Sequence, residues 1–313
     1  MGAELCSELV AAGHEVTVLD NNSRGHPRRL KSLKGDIEIV DGDVGDPECV
    51  RRARSHCDTV WHLAYINGTR HFYEQPDLVL DVGIRGTLNT IEAAMELGVR
   101  RYILASTSET YNTPTHVPTD ESERLMVPDV TNPRFSYGGG KIACELLTLH
   151  MAAWRGLETV IFRPHNFIGP DMGFEHVIPE LTRKMVEASN GLKARDITIE
   201  IQGSGEETRA FCDIRDGARG AFLAGEFGAP GEIYHVGTQH EVSIRELVAQ
   251  MGQALELNVT VKPGTPAKGG TSRRCPSIEK LSGLGYQPAV SFEEAVRRTT
   301  RWYADHFVQQ SGS

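Results

Sequence analysis

The chain has 313 residues, 39 % of them hydrophobic, which suits one large α/β unit or two closely joined domains with ample core and gives no sign of disorder. Its net charge of −9 argues against general nucleic-acid binding and leaves room only for a local basic pocket around a small, phosphate-bearing partner. Six scattered cysteines (Cys6, Cys49, Cys57, Cys144, Cys212, Cys275) form no CxxC and no Cys/His cluster, so no metal site is expected and the thiols read as reduced and cytoplasmic. There is no apolar run of about 18 residues and no signal-peptide pattern, and Cys6 stands where a myristoylation motif wants serine or threonine, so no membrane contact is expected.

In chain order, Leu5, Cys6, Leu9 and Val10 recur at helical spacing over Ala3–Ala12, and Gly13 ends that helix. A buried strand is expected over Glu15–Leu19, ending in Asp20. An acid at the carboxyl end of a strand, after a glycine-led helix, stands where a dinucleotide-binding unit holds the adenosine ribose, and it would repel a 2′-phosphate. The alternative is that Asp20-Asn21-Asn22 only opens a polar turn. Strand Ile37–Val40 leads into Asp41-Gly42-Asp43-Val44, with Asp43 placed to accept from the adenine amino group. A helix over Glu48–Arg54, a strand over Thr59–Leu63 running into Ala64-Tyr65-Ile66, a long helix over Leu78–Leu97 and a strand over Tyr102–Ala105 complete an alternation that argues for a parallel sheet. Ligands should gather at its carboxyl edge.

Hydroxyls cluster at that edge in Ser106-Thr107-Ser108-Glu109-Thr110-Tyr111, and thirty residues later comes Ser136-Tyr137-Gly138-Gly139-Gly140-Lys141. Tyrosine and lysine four apart share a helix face, so an ammonium can stand near the phenol and lower its pKa from about 10 toward the working pH, as a general base needs. Each intervening glycine costs a helix roughly 1 kcal/mol relative to alanine, which signals something approaching the backbone closely. Further on, Pro114–Arg134 reads as a loop over the cleft, Glu158–Phe162, Thr198–Gln202 and Ile233–Gly237 as strands, and Asp216–Ala224 and Phe292–His306 as helices. Ser243 and Glu246 form a capping box for a helix through Leu255, and Pro263–Gly270 reads as a mobile polar loop.

Together Asp20, Gly42-Asp43-Val44, His62-Leu63-Ala64, Gly86-Thr87, Ser106–Tyr111, Tyr137–Lys141, Arg163–Pro170, Arg209 and Arg274 resemble the motifs of an extended short-chain dehydrogenase/reductase of the nucleotide-sugar epimerase/dehydratase family, over essentially the whole chain. The resemblance implies a Rossmann-type doubly wound parallel sheet over residues 1–165, a smaller mixed α/β substrate domain over 166–313, and segments near 210–238 returning to the first. It departs from the family upstream of the first helix, where a strand and most of the glycine-rich turn have no counterpart and only Gly2 matches the last glycine. Either the start is assigned late, or the chain has lost normal cofactor binding and is a non-catalytic nucleotide-sugar-binding protein.

In that family the sugar C4 hydroxyl is oxidised first, the tyrosinate taking the proton while NAD takes the hydride. Carried over, Tyr137 is the base, Lys141 holds its pKa down and bonds the nicotinamide ribose, and Thr107 is the assisting hydroxyl. Gly2, Asp20, Asp43, Val44, Leu63 and Ala64 line the NAD site. Ser108, Asn166, His176, Val177, Arg209 and Arg274 contact the nucleotide-diphosphate sugar, Asn166 and the arginines at its phosphates. Glu109 is either catalytic or a hydrogen-bonding loop carboxylate. His165 either donates to the sugar or packs like the aromatic ring it replaces, packing being the reading preferred. The implied outcome is 4-epimerisation first, with decarboxylation of a glucuronate-type sugar suggested by Thr107-Ser108-Glu109 and 4,6-dehydration as alternatives. The resemblance also implies a homodimer.

Overall fold

The structure is a computed structural model and describes residues 1–53, 57–265 and 271–311. Helix α1 (Gly2–Ala11) buries Leu5 and Leu9 and closes through Gly13, whose φ of +87° lets the chain reverse while the amides of Gly13 and His14 bond back to Val10 and Leu9. It leads into β1 (Val16–Asp20), which pairs in parallel with β2 (Ile37–Asp41). Helix α2 (Pro47–Arg52), capped by the Asp46 carboxylate, precedes β3 (Thr59–His62). Next come a short helix Thr69–Glu74, the turn of helix Pro76–Leu80, a wide π-helical turn Asp81–Arg85 and α3 (Gly86–Glu96). Strand β4 (Arg101–Ala105), α4 (Ser136–Leu146) and β5 (Glu158–Pro164) follow.

Further elements include α5 (Val177–Ala188), β6 (Asp196–Glu200), β7 (Thr208–Ala210), α6 (Ile214–Phe227), β8 (Glu232–Val236), β9 (Glu241–Ser243), α7 (Ile244–Leu255), β10 (Asn258–Lys262), β11 (Arg273–Arg274) and α8 (Phe292–Ser311). Strands β8, β5, β4 and β3 form one all-parallel sheet in that order. Alternation along β4 divides its side chains between two cores: Ile103 and Ala105 pack with Leu5, Leu9 and Phe162, whereas Tyr102 and Leu104 pack with Ile91, Cys144 and Ile161. Burying a side chain such as Ile103 or Leu104 completely is worth about 1.5–3 kcal/mol. A third core joins α5, α7 and α8 through Met185, Met251 and Val296. Around it lie the parallel pair β6/β10 and the small sheet β9–β7–β11.

One expectation is corrected. The alternation predicts a parallel sheet, and the ladders β1/β2 and β8–β5–β4–β3 are all parallel, with none joining β1/β2 to β3 among the described residues; what differs is the expected burial of the first strand, since four of the five residues of β1 are only partly buried and one is exposed. The strand that the resemblance places before α1 has no counterpart in this sequence, and its position lies between the facing edges of β1 and β3; the space there, about 1460 Å³ together with the cleft it joins, continues to the carboxyl end of β4. Part of the expected loop Pro263–Gly270 lies outside the described residues.

Candidate active site

At the carboxyl end of β4 the backbone leaves the sheet at Ser106 and tightens into a 3₁₀ turn over Ser108–Tyr111, with the Thr107 side chain accepting from the Glu109 amide at 3.2 Å as its cap. Thr107, Ser108 and Glu109 thereby face the cleft, and the Tyr137 side chain hydrogen-bonds Thr107. Helix α4 brings Tyr137 to this point. Phe72 stacks on its ring with centroids 5.0 Å apart, and Tyr65 meets it edge-on at 5.2 Å. Burial pushes the Tyr137 phenol up from its ordinary value and the bond from Thr107 pulls it part of the way back.

Lys141 stands elsewhere than expected. Its ammonium donates to the Ala105 carbonyl at 2.6 Å and lies 4.1 Å from the centre of the Tyr65 ring. The side chain is 2 % exposed and does not line the cleft. Burial lowers its pKa to about 8, below the ordinary value of an ammonium. Lys141 comes from the same helix as Tyr137, four residues on, and its ammonium meets the strand-end carbonyl and the Tyr65 face.

The costly glycines have the neighbours their spacing implies. A Cβ added at Gly138 would stand 3.2 Å from the Glu109 carbonyl, one at Gly139 3.3 Å from Val127, and one at Gly140 2.2 Å from the Tyr65 hydroxyl.

Glu109 is held by two arginines. Arg274 donates to one carboxylate oxygen at 2.6 Å and also to Thr271, and Arg134 approaches the other oxygen at 3.6 Å. Chiefly through Arg274, the carboxyl is held below its ordinary range. Arg209 lies beside Arg274 in the register of β7 and β11, but its guanidinium is tied to the carbonyls of Thr208 and Thr271 and does not line the cleft; burial and the neighbouring Arg274 lower it to about 10. Asn166, at φ +43°, lines the cleft with a buried Nδ2 that has no partner. His176 stands at the N-terminal boundary of α5 without a side-chain capping bond and lines the cleft, whereas Val177 packs against the α5/α7/α8 core. His165 is fully buried against His235 and Tyr111, at ring distances of 4.6 and 6.5 Å, in the packing role.

At the opposite end of the cleft, one Asp20 oxygen accepts from the Asn22 amide at 2.7 Å, so the turn reading holds while the carboxylate still faces the cleft. Asp43 accepts from the Asn21 side chain at 2.6 Å and from the Gly45 amide at 2.7 Å. Val44, Leu63 and Ala64 continue the wall, and Gly2 places the first turn of α1 against it. The site therefore includes Tyr65, Phe72 and Arg134, which the motifs do not single out. Only the glycine run signalled the first of them.

A parallel-stranded α/β fold with strand-end acids at one end of a cleft and a Tyr/Lys helix beside a strand-end threonine at the other defines a dinucleotide-dependent enzyme of the short-chain dehydrogenase type. Residues 1–237 match the model of the NAD dependent epimerase/dehydratase family, and the chain belongs to that family. It is similar to the UDP-N-acetyl-alpha-D-glucosaminuronate decarboxylase of Bacillus cytotoxicus, 28 % identical over 97 % of this chain and 95 % of that protein. Its fold is similar to that of the dTDP-glucose 4,6-dehydratase of Streptomyces venezuelae, solved with NAD bound, at a TM-score of 0.84 and 26 % identity, covering 97 % of this chain and 94 % of that one. The UDP-glucose 4-epimerase of Thermus thermophilus in complex with NAD is similar at a TM-score of 0.77 and 27 % identity, over 96 % and 95 % of the two chains. Among the described residues no helix is long and apolar enough to cross a membrane, and Cys6, Cys49, Cys144, Cys212 and Cys275 are in no disulfide.

Proposed function

We propose that this chain binds a nucleotide-diphosphate sugar and transiently oxidises its C4 hydroxyl, with Tyr137 as the base. The observation that carries this reading is the buried Tyr137 phenol hydrogen-bonded to Thr107 at the strand-end wall of the cleft. The residues present fit NAD: Asp20 and Asp43 would hold the adenosine end, the first turn of α1 at Gly2 faces the middle, and Val44, Leu63 and Ala64 form the wall leading to Tyr137. When bound, the cofactor supplies the hydride acceptor. Thr107 orients the sugar hydroxyl and Tyr137 takes its proton, while Phe72 and Tyr65 fix the phenol ring and keep water from it. The orphaned Asn166 Nδ2 is the donor best placed for the diphosphate. A division of the chain near residue 165, a homodimer and a cytoplasmic location complete the reading, the second resting on the family resemblance and the last two testable by light scattering and fractionation.

Among outcomes 4-epimerisation needs no group beyond Tyr137 and Thr107. A second reading, decarboxylation of a sugar bearing a C6 carboxylate, is favoured by one feature: Arg274 and Arg134 converge on Glu109, a cationic corner at the catalytic threonine that suits a second carboxylate. The decarboxylase similarity of the chain points the same way. Incubation with NAD and a panel of UDP-, dTDP-, GDP- and CDP-sugars, with products resolved by NMR, separates these readings. A 4-epimer supports the first and a pentose the second, whereas no conversion of any sugar overturns the proposal.

A further inference from the structure

Tyr65 is a ring in the cleft wall whose seat is built from two missing side chains. A Cβ at Gly83, in the π-helical turn, would stand 2.2 Å from its Cζ, and a Cβ at Gly140, on α4, would stand 2.2 Å from its hydroxyl. Real Cβ atoms do not approach so closely, so both glycines are required for the ring to lie where it does. The hydroxyl is buried and has no hydrogen-bond partner, so no polar interaction holds Tyr65 in this slot. What the ring does touch is Lys141, with its face 4.1 Å from the ammonium, and Tyr137, with its edge. Tyr65 lines the cleft and Lys141 does not.

We propose that Tyr65 is a positioning residue that lids Lys141: seated between Gly83 and Gly140, its ring separates the ammonium from the cleft and directs it to the Ala105 carbonyl. Any cleft ligand that bonds Lys141 must first displace that ring. This rests on the Tyr137/Lys141 reading of the site, but it concerns access to an amine and can be tested without turnover. The groups facing the ammonium are few: Cys144 and Glu145 from its own helix, the Ala105 carbonyl from β4, and Tyr65 from the segment after β3. Burial is the first cause of the depressed lysine pKa of about 8. An amine in that range is a strong nucleophile at mildly alkaline pH, provided a reagent can reach it.

The test is competitive acetylation of the full-length protein near pH 8 with a small N-acetylating ester, reading each lysine by peptide mass spectrometry. In the parent protein Lys141 should be among the slowest to label. Tyr65→Ala opens the lid and should raise Lys141 labelling by about tenfold or more, with the other lysines unchanged as internal controls of folding. Tyr65→Phe keeps the ring and should label as slowly as the parent. Gly140→Ala pushes against the phenol oxygen and should open the lid, and adding Tyr65→Phe should close it again, because the next ring carbon is 3.6 Å from the added methyl. Rapid labelling of Lys141 in the parent, or equal opening by Tyr65→Phe and Tyr65→Ala, would overturn the proposal. If Tyr65→Ala does not fold, the Gly140→Ala pair carries the same test. Failure here with Tyr137→Phe still inactive removes the lid and leaves the base assignment intact.

Discussion

Deleting one oxygen from Tyr137 separates shape from chemistry. The ring is clamped by Phe72 and Tyr65, so Tyr137→Phe keeps its packing and loses only the proton acceptor and the bond to Thr107. Turnover should fall by about three orders of magnitude or more, with nucleotide-sugar affinity measured by calorimetry nearly unchanged; retained turnover would remove Tyr137 as base. Glu109→Gln separates the two outcomes proposed for the sugar. It keeps the side chain's shape but frees the Arg274 and Arg134 guanidinium groups from a carboxylate, so binding of a uronate sugar should tighten relative to its neutral counterpart, as read by the ratio of their dissociation constants. The Tyr/Lys pair and the strand-end threonine are legible in sequence because their spacing is fixed by one helix and one turn. Arg134 and Phe72 are not, since they reach the site from loop and short-helix positions whose approach depends on tertiary packing. Lys141 was legible in position and not in direction, because the carbonyl and ring that capture it lie on two other elements.

Strand ends and the Tyr/Lys helix are fastened together by a buried ionic chain. Arg163, at the end of β5, makes a two-pronged contact with Glu145 on α4, at 2.9 and 2.6 Å, with both side chains 3 % exposed. Ser106 at the end of β4 donates to Glu145, Arg163 donates to the Tyr111 hydroxyl, and Tyr111 bonds His235 on β8 at 2.5 Å. Removing one partner leaves the other charge buried and unpaired, so Glu145→Ala should destabilise the fold by about 3–5 kcal/mol, checked by urea unfolding of parent and variant. A loss under about 1 kcal/mol would mean water reaches Arg163. At this scale the sequence reads unevenly. The Ser243/Glu246 capping box before α7 is recognisable from four residues and forms as expected. Strands β9 and β10 are missed, because β9 is only three residues long and β10 alternates partly buried with exposed side chains at an edge.

Across the whole molecule, the cleft at the carboxyl ends of the strands sets what the fold can bind. It extends from Asp20 to Tyr137, and its outer rim is closed by Arg28 and Arg29 reaching Asp171 at 2.7 and 3.0 Å. That the cleft lies at the carboxyl edge was legible from the strand–helix alternation, whereas which side chains close its rim was not, because they come from segments between the strands. The buried rings at the sheet's end set the acid limit of stability. Burial holds His235 neutral, at about 3 against 6.5, and lowers its neighbour His165 as well. The unfolded chain takes up protons at these rings below pH 6.5 while the folded chain does not. The stability present above that pH should therefore decline as pH falls toward 3, by a few kcal/mol in total. Urea midpoints measured between neutral and acid pH check this, and His235→Gln should flatten the dependence.

The central claim is reversible oxidation at sugar C4, and its most direct measurement is a single-turnover reaction with NAD and a nucleotide sugar that the product panel shows to be converted, carrying deuterium at C4. The account predicts transient near-ultraviolet absorbance of reduced nicotinamide and a primary isotope effect on its appearance, both absent in Tyr137→Phe. Conversion of that sugar with neither the transient nor the isotope effect would contradict it.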